Sequence, residues 1–537
     1  MSVLRIRKNG VETEYHFQDR MRLDEALSAA GFPMAHPCGG RGTCGKCAVK
    51  VTGALSEADA TERALGLPAG LRLACRTMLL GDATLELSSA GNLQIQTAGS
   101  GTLAAADPMP GKYGIAVDIG TTTVAAKLLD LESGQELASS ARINPQTTVA
   151  ADVMGRIGAA LDGKLPSLQK QILDAITEMT EKVIANAEMT GEVIVNAGSR
   201  ADAAVITGNT TMLYLLTGRS PETLSHFPFE ADCLFGCETE IAGIPAYLPA
   251  CMNAFVGADI TCAVLASGMT EKEETALLCD IGTNGELALW KNGKLYVTST
   301  AAGPAFEGAG ISCGCGSIPG AIDKAWVEYG MNDSAQCGNI AKDSASAGSI
   351  AKDSASAGNI ANDGASTGKI AIHTIKNAAP AGICGSGLID LIAAGLETGI
   401  IDETGAMEED AIELSGGICL LPKDVRAVQL AKAAIAAGIQ TLAKVSGTEY
   451  KEIGTLYIAG GFGSHLDAAS AVKIGLLPKE LESKVSVIGN AALTGAEMML
   501  LDRGVIRQSL ALVEKSEHVN LGGNPDFNEN YMDNMMF

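Results

Sequence analysis

YGIAVDIGTTTVAAKLLDLESGQEL at 113–137 and TALLCDIGTNGELALWKNGKL at 275–295 share one design. In each, an apolar strand runs into an aspartate (Asp118 or Asp280), a Gly–Thr turn follows, and a second apolar strand leaves it. Two copies of strand–Asp–turn–strand, far apart in a 537-residue chain, predict an internally duplicated α/β fold. The turns are Gly120-Thr121-Thr122 and Gly282-Thr283-Asn284-Gly285. Both can present backbone N–H groups and hydroxyls to phosphate, while Asp118 and Asp280 can hold Mg²⁺ through water. Farther on, TLYIAGGFGSHLD carries a strand into Gly460-Gly461-Phe462-Gly463, where missing side chains let a flat adenosine lie against backbone. One Asp–Gly turn alone would be ordinary. The ordered set reads as an ATP site.

That set resembles the actin, sugar-kinase and heat-shock-chaperone ATPase superfamily. A P-loop and a dinucleotide fingerprint are both missing from the sequence. Between the turns lies an Ala-rich helical stretch at 168–187, then DAAVITGNTTMLYLLTG, a strand passing through Gly208-Asn209-Thr210-Thr211 into a helix. Its position fits the segment linking the two halves in that superfamily. Glu307, in Gly-Pro-Ala-Phe-Glu-Gly, is a third candidate catalytic residue; a surface loop is the alternative.

Upstream, Cys38-GGRGT-Cys44-GK-Cys47 is followed 28 residues later by Cys75. This C-x5-C-x2-C…C spacing is close to the plant-type [2Fe–2S] pattern, with one residue more in the first gap. A tight Gly-rich loop brings three thiolates around one small cluster, and the fourth comes from a separate strand. A structural zinc site would more often show two C-x2-C pairs, and only one is present. VLRIRKNG and VETEYHF read as a β-hairpin about Asn9-Gly10, RLDEALSAAG as a helix ended by Gly31, and AVKVTGAL, LRLACRTML and DATLELS as short strands. The pattern resembles the β-grasp fold of [2Fe–2S] ferredoxins.

Composition limits the partners. Lys and Arg number 39 against 62 Asp and Glu, a net charge of −23, so nucleic acid and anionic membranes are unexpected. Residues 1–90 hold 11 basic and 10 acidic side chains, so the acidity belongs to the remainder. The opening MSVLRIRKNGVETEYHF lacks an apolar core and a cleavage site, and no 18-residue apolar run occurs, so the expectation is a cytoplasmic protein. Fourteen cysteines then read as thiols or metal ligands. Cys313, Cys315 and Cys384 read as plain buried thiols.

The expected organisation is a ferredoxin-like domain at 1–90, a linker at 91–112, the ATPase-like domain at 113–505 and a tail at 506–537. Residues 339–368 are three decapeptides, NIAKDSASAG, SIAKDSASAG and NIANDGASTG, which offer almost nothing to bury and read as a flexible insertion.

A [2Fe–2S] domain ahead of this kind of ATPase resembles the reductive activators of corrinoid proteins. The resemblance rests on CGGRGTCGKC at 38–47, DIGTTT at 118–123, ITGNTTM at 206–212, CDIGTNGE at 279–286, AGPAFEGAGI at 302–311, GICGSG at 382–387, IAGGFG at 458–463 and the ending VNLGGNPDFNENYMDNMMF. It implies ATP-dependent transfer of one electron from the cluster to cobalt, taking Co(II) to Co(I) in a methyltransferase system. It also implies an upstream electron donor, and leaves a homodimer open. No Asp-x-His-x-x-Gly occurs, so the corrinoid belongs to another protein. Only about twenty residues separate ferredoxin and ATPase, so the extra middle domain of longer members looks absent. Competing readings are an activator of another low-potential enzyme, including a radical dehydratase activator with a [4Fe–4S] cluster. A ferredoxin-like carrier with a non-hydrolysing docking domain and a sugar kinase are two more.

Overall fold

A computed structural model of the chain describes residues 2–8, 11–17, 20–32, 34, 47–64, 70–87, 103–189, 201–329, 368–461 and 466–537. The expected turn at Asn9-Gly10, the ligands Cys38 and Cys44, the linker up to residue 102, the repeats up to residue 367 and Gly463 lie outside these residues.

The N-terminal unit is a mixed sheet of β1 (Ser2–Lys8), β2 (Val11–Phe17), β3 (Met21–Arg22), β4 (Ala48–Leu55), β5 (Leu71–Leu73) and β6 (Met78–Leu87). Its order is β2-β1-β6-β4-β5, with β3 on β6. β1 and β2 pair antiparallel from Ser2↔Phe17 to Lys8↔Val11, as the hairpin reading requires. The helix Leu23–Ala29 lies over the sheet, buries Leu23, Ala26 and Leu27, and is followed by Gly31 at φ +85°. The core of this unit draws only on residues 4–85. The expected strand LRLACRTML is broken: β5 stops at Leu73, and a turn closes with Arg76 N and Thr77 N both donating to Leu73 O. Ala74 N donates to Cys47 O at 2.9 Å, so the turn sets Cys75 beside Cys47. Alternation alone cannot reveal that break, because the apolar period continues through it.

Two further six-stranded sheets form the frame of the rest. The first orders β11 (Cys237–Ile241), β12 (Ile244–Leu248), β10 (Ala203–Gly208), β7 (Tyr113–Ile119), β8 (Thr123–Asp130) and β9 (Glu136–Ile143). The second orders Val485–Gly489, Ile453–Ala459, β13 (Thr275–Ile281), β14 (Gly285–Lys291), β15 (Lys294–Thr300) and Ser516–His518. In both, an antiparallel meander (β7-β8-β9, β13-β14-β15) is extended by two parallel strands, which is the duplication read from the sequence. β10 is parallel to β7 throughout. It therefore belongs to the first half and does not link the halves. The long helix expected over 168–187 runs Leu165–Met189.

The halves meet through the helices Ala258–Ser267 and Ala491–Leu501. Their contact requires Gly495, where a Cβ would stand 2.3 Å from Cys262 O. Buried residues of both helices and both sheets form one core, including Ile260, Leu278, Leu493 and Met499.

Residues 103–112 of the stretch read as linker, and the tail, are both built into this unit. Leu103, Ala105 and Met109 pack on its core. Met109 N donates to Leu500 O at 2.8 Å, and Asp107 pairs with Arg503 at 2.5 Å. In the tail, Ser516–His518 extends β15 in parallel, and Phe537 N donates to Glu403 O at 2.8 Å. Small polar composition reads as a linker, yet backbone hydrogen bonds hold the described part, residues 103–112, in place.

The decapeptides fall between two paired strands, Ala321–Tyr329 and Gly368–Thr374, whose last pair is Tyr329↔Gly368. Because the ends already meet, a shorter connection loses less entropy on closure. Deleting 339–367 is expected to keep the visible spectrum and to hold the melting temperature within about 2 °C, as for most surface changes. A drop of about 10 °C in a thermal melt would show that the repeats pack.

Candidate functional site

Asp118 and Asp280 occupy equivalent places, each the penultimate residue of the first meander strand. Both side chains line a cleft of about 260 Å³ between the halves. Also in its walls are Gly120, Thr121 and Thr122 of the first turn, Gly282, Thr283 and Asn284 of the second, Glu307, and Gly460 with Gly461. Gly460 has φ +98°, a conformation side chains seldom adopt, and a Cβ there would stand 2.8 Å from Asp280 Oδ1. Glu307 is a cleft residue: its Oε1 accepts from Thr283 Oγ1 at 2.9 Å. Gly285 is not in the wall; it packs against Thr300 and Ile435 behind the turn.

Sequence reasoning missed four contributors. Asn490 caps the helix Ala491–Leu501 through Leu493 N and donates from Nδ2 to Asp118 Oδ2 at 3.0 Å. Asn209 does the same in the first half, capping Thr210–Thr217 and donating to Thr121 Oγ1 at 3.1 Å. Asp259 enters from the first turn of Ala258–Ser267. Glu286 stands directly opposite Asp280 in the β13–β14 pair. Behind the first turn, the fully buried Arg156 donates to Thr121 O and to Ala150 O at 3.1 Å, and Asn144 Nδ2 donates to Gly120 O at 2.9 Å. These bonds tie the turn's carbonyls to the protein interior.

Like charges opposite one another in a sheet are destabilising, so the acidic crowd calls for a chemical reason. Burial pushes the Asp118 carboxyl up to about 6, against the Asn490 hydrogen bond. Burial, then Asp118 and Glu307, push Asp280 to about 7. Burial, then Asp280 and Asp118, push Asp259 to about 8. Glu286 is raised well above the usual range by burial and by Asp259 and Asp280. Among the described residues lining the cleft there is no Lys or Arg. Converging carboxylates with N–H-rich turns on both sides suit a hydrated divalent cation carrying phosphate.

The second site is at Cys47 and Cys75. Both are buried, with Sγ atoms 3.2 Å apart, close enough for two thiolates to bind one iron. That pair fits two of the four thiolates of an iron–sulfur cluster; the expected ligands Cys38 and Cys44 lie outside the described residues. Of the three cysteines read as plain buried thiols, two depart from that reading. Cys384 is buried, but Cys313 and Cys315 are part-exposed. Cys313 Sγ lies 3.9 Å from Cys419 Sγ, and Cys315 and Cys384 line the cleft.

Three family profiles cover the chain: the 2Fe-2S iron–sulfur cluster binding domain at 6–80, the RACo middle region at 113–272, and the C-terminal domain of RACo, the ASKHA domain, at 274–537. Fold and sites thus define an iron–sulfur protein whose 2Fe–2S domain is joined to a duplicated ASKHA-type unit. The corrinoid activation enzyme RamQ of Eubacterium limosum is 32% identical over 462 residues, 79% of this chain and 70% of RamQ. The [Co(II) methylated amine-specific corrinoid protein] reductase of Methanosarcina barkeri is 26% identical over 306 residues, 57% of this chain and 53% of that protein. The chain belongs to the family of reductive activators of corrinoid proteins. A solved structure of a reductive activator for corrinoid,iron-sulfur protein shares the fold, with TM-score 0.65 over 99% of this chain and 98% of that one at 24% identity. The middle-region profile falls on the half holding Asp118. This chain therefore does carry the family's middle region, as that half and not as an insert after the ferredoxin. Among the described residues, no helix is long and apolar enough to cross a membrane.

Proposed function

We propose that this chain reduces the cobalt of its corrinoid partner from Co(II) to Co(I), one electron at a time, and that Mg²⁺–ATP bound and hydrolysed in the cleft drives the step. The setting is a cytoplasmic methyltransferase system, with a separate low-potential donor loading the ferredoxin unit. One observation carries the reading: a single polypeptide joins a buried thiol pair of ferredoxin type to a cleft lined by two Gly–Thr turns and converging carboxylates.

A [2Fe–2S] cluster on Cys38, Cys44, Cys47 and Cys75 supplies one-electron chemistry. The two turns donate N–H groups to the phosphates, and Asp118 and Asp280 orient the hydrated cation from opposite halves. Gly460 and Gly461 leave room for the nucleoside, and Glu307, held by Thr283, can orient the attacking water. For a one-electron couple, each ~59 mV of deficit costs a factor of ten in equilibrium. A ferredoxin unit alone would therefore leave little Co(I). Nucleotide can supply the missing bias only if its bound states contact the partner differently, and a cleft between two halves is a place where that difference can arise.

The test follows the Co(I) absorbance of the corrinoid protein under a fixed low-potential donor. Co(I) is expected to accumulate only with the full chain, Mg²⁺ and hydrolysable ATP. Equal yield and rate without ATP would overturn the coupling and leave a carrier with a docking domain.

A further inference from the structure

We propose that an aromatic platform on the first half, Phe227, Phe229 and Phe255, is the docking surface for the corrinoid protein, and that the loop carrying Phe255 ties it to the cleft. The docking claim stands apart from ATP coupling; only the tie rests on the function proposed above.

Phe227 is 81% exposed and Phe255 40%. Their rings join through Phe229, edge-on to Phe227 at 6.4 Å and tilted to Phe255 at 5.5 Å. The chain has only 10 Phe, so three in one surface cluster concentrate its aromatic area in water. Such patches mark interaction sites, and aromatic side chains dominate the centres of protein interfaces.

The platform is firmly built. In the stretch 218–241 that carries Phe227 and Phe229, Phe235 meets the buried Tyr214 edge-on at 5.7 Å, and Tyr214 donates its hydroxyl hydrogen to Asp232 and accepts from Cys233 N at 2.8 Å. Phe229 and Phe235 are held at φ +59° and +58°, a region bulky residues rarely occupy. Backbone strain of that kind persists where the surrounding packing over-determines it.

Charge selects the occupant. Residues 218–241 carry five acidic side chains, and Arg219 is their only Lys or Arg. Arg219 lies 3.9 Å from Asp232, and Asp232 is exposed, as is Glu230, which follows Phe229 in the chain. An apolar centre with an acidic rim fits a partner face with an apolar centre and basic surround. The partner this family serves is a corrinoid protein, and we commit to it.

The tie is a short chain of hydrogen bonds. Thr121 of the first turn accepts from Asn209 at 3.1 Å, and Asn209 caps the helix beginning at Thr210. Thr210 Oγ1 donates to Asn253 O at 2.8 Å, and Asn253 Oδ1 accepts from Phe255 N at 3.3 Å. Four residues later Asp259 lines the cleft. A ligand that moves Thr121 or Asp259 therefore acts on both ends of the Phe255 loop.

The test titrates the full chain against the Co(II) form of the corrinoid protein purified from the same cells. It compares wild type with the double variant Phe227→Ser, Phe255→Ser, whose changed side chains are surface-exposed. The variant is expected to keep its visible spectrum and melting temperature and to bind at least tenfold more weakly. Wild-type binding should weaken severalfold between low and high salt. Binding within twofold of wild type would overturn the docking surface. So would a wild-type dimer lost in the variant with corrinoid-protein affinity unchanged, which would assign the platform to a second copy. For the tie, wild-type affinity should differ severalfold between the nucleotide-free chain and the chain with a non-hydrolysable ATP analogue and Mg²⁺, and Thr210→Val should shrink that difference. Equal affinities would refute the tie alone. Co(I) formation independent of ATP, with binding still lost in the double variant, would refute the coupled mechanism and leave the docking surface standing.

Discussion

Cys47→Ala and Cys75→Ala are each expected to abolish the visible absorption and the electron paramagnetic resonance signal of the reduced protein, while Cys313→Ala leaves both intact. Two irons per chain should fall to near none in the first two variants. The two thiols are buried and 3.2 Å apart, held there by the Leu73–Thr77 turn and the Ala74 N to Cys47 O bond. Removing either leaves the metal a ligand short. Cluster binding to so small a unit is also folding energy. The core of residues 4–85 shares nothing with the cores of the ASKHA-type unit, so calorimetry should show an early transition moving down by about 10 °C or more and a late one unmoved. Four irons per chain, or loss of signal in Cys313→Ala, would refute the assignment. That control has a structural basis: Cys313 sits beside Cys419, in a different core.

What was legible in the sequence was what is local. Asp118, Asp280 and their turns announce themselves because strand, acid and Gly–Thr turn are consecutive, and duplication repeats them. The Cys38–Cys47 loop is read from spacing for the same reason. Asn490, Asp259 and Arg156 were not legible. Asn490 meets Asp118 across 372 residues of chain, and before the strand order is known it is only one polar residue at an Ala-rich helix start. Asp259 likewise opens an apolar helix, and a buried arginine at the back of a turn has no periodicity to betray it. Glu286 was nearer to hand. A turn of three residues between Ile281 and Gly285 forces Asp280 opposite Glu286, so register alone would have added a fourth acid to the site. The linker and tail misled for the opposite reason. Their composition is that of free chain, while their hydrogen bonds to Leu500, Leu501 and Glu403 depend on tertiary partners.

Asp280→Asn is expected to abolish nucleotide hydrolysis while raising the melting temperature of the cation-free chain. Both effects have one cause. Asp118, Asp259, Asp280 and Glu286 share a cleft with no described Lys or Arg in its lining, and burial plus mutual repulsion raises every one of them above the ordinary carboxylate range. An acid whose folded pKa is raised binds more protons folded than unfolded, so stability falls as pH rises from about 4 through that pKa. With Asp118 near 6, Asp280 near 7 and Asp259 near 8, the cation-free protein should lose stability steadily between pH 5 and 8. Asn at 280 removes one charge from the crowd and flattens that slope. The gain is a few degrees, since about 1 kcal/mol moves the midpoint of a unit this large by roughly 2 °C. Mg²⁺ neutralises the same crowd, so it should raise the wild-type midpoint, more at pH 8 than at pH 6, and have little effect on Asp280→Asn. Loss of turnover is expected to exceed a hundredfold, because the proposed mechanism has Asp280 orient the cation from the second half. The visible spectrum should be unchanged in the variant, whose altered side chain lies outside the ferredoxin core. The decisive measurement is a thermal melt with and without Mg²⁺ at pH 6 and pH 8. A cation-free Asp280→Asn chain less stable than wild type at pH 8, or one still stabilised by Mg²⁺ as wild type is, would show that Asp280 holds the fold and not the cation.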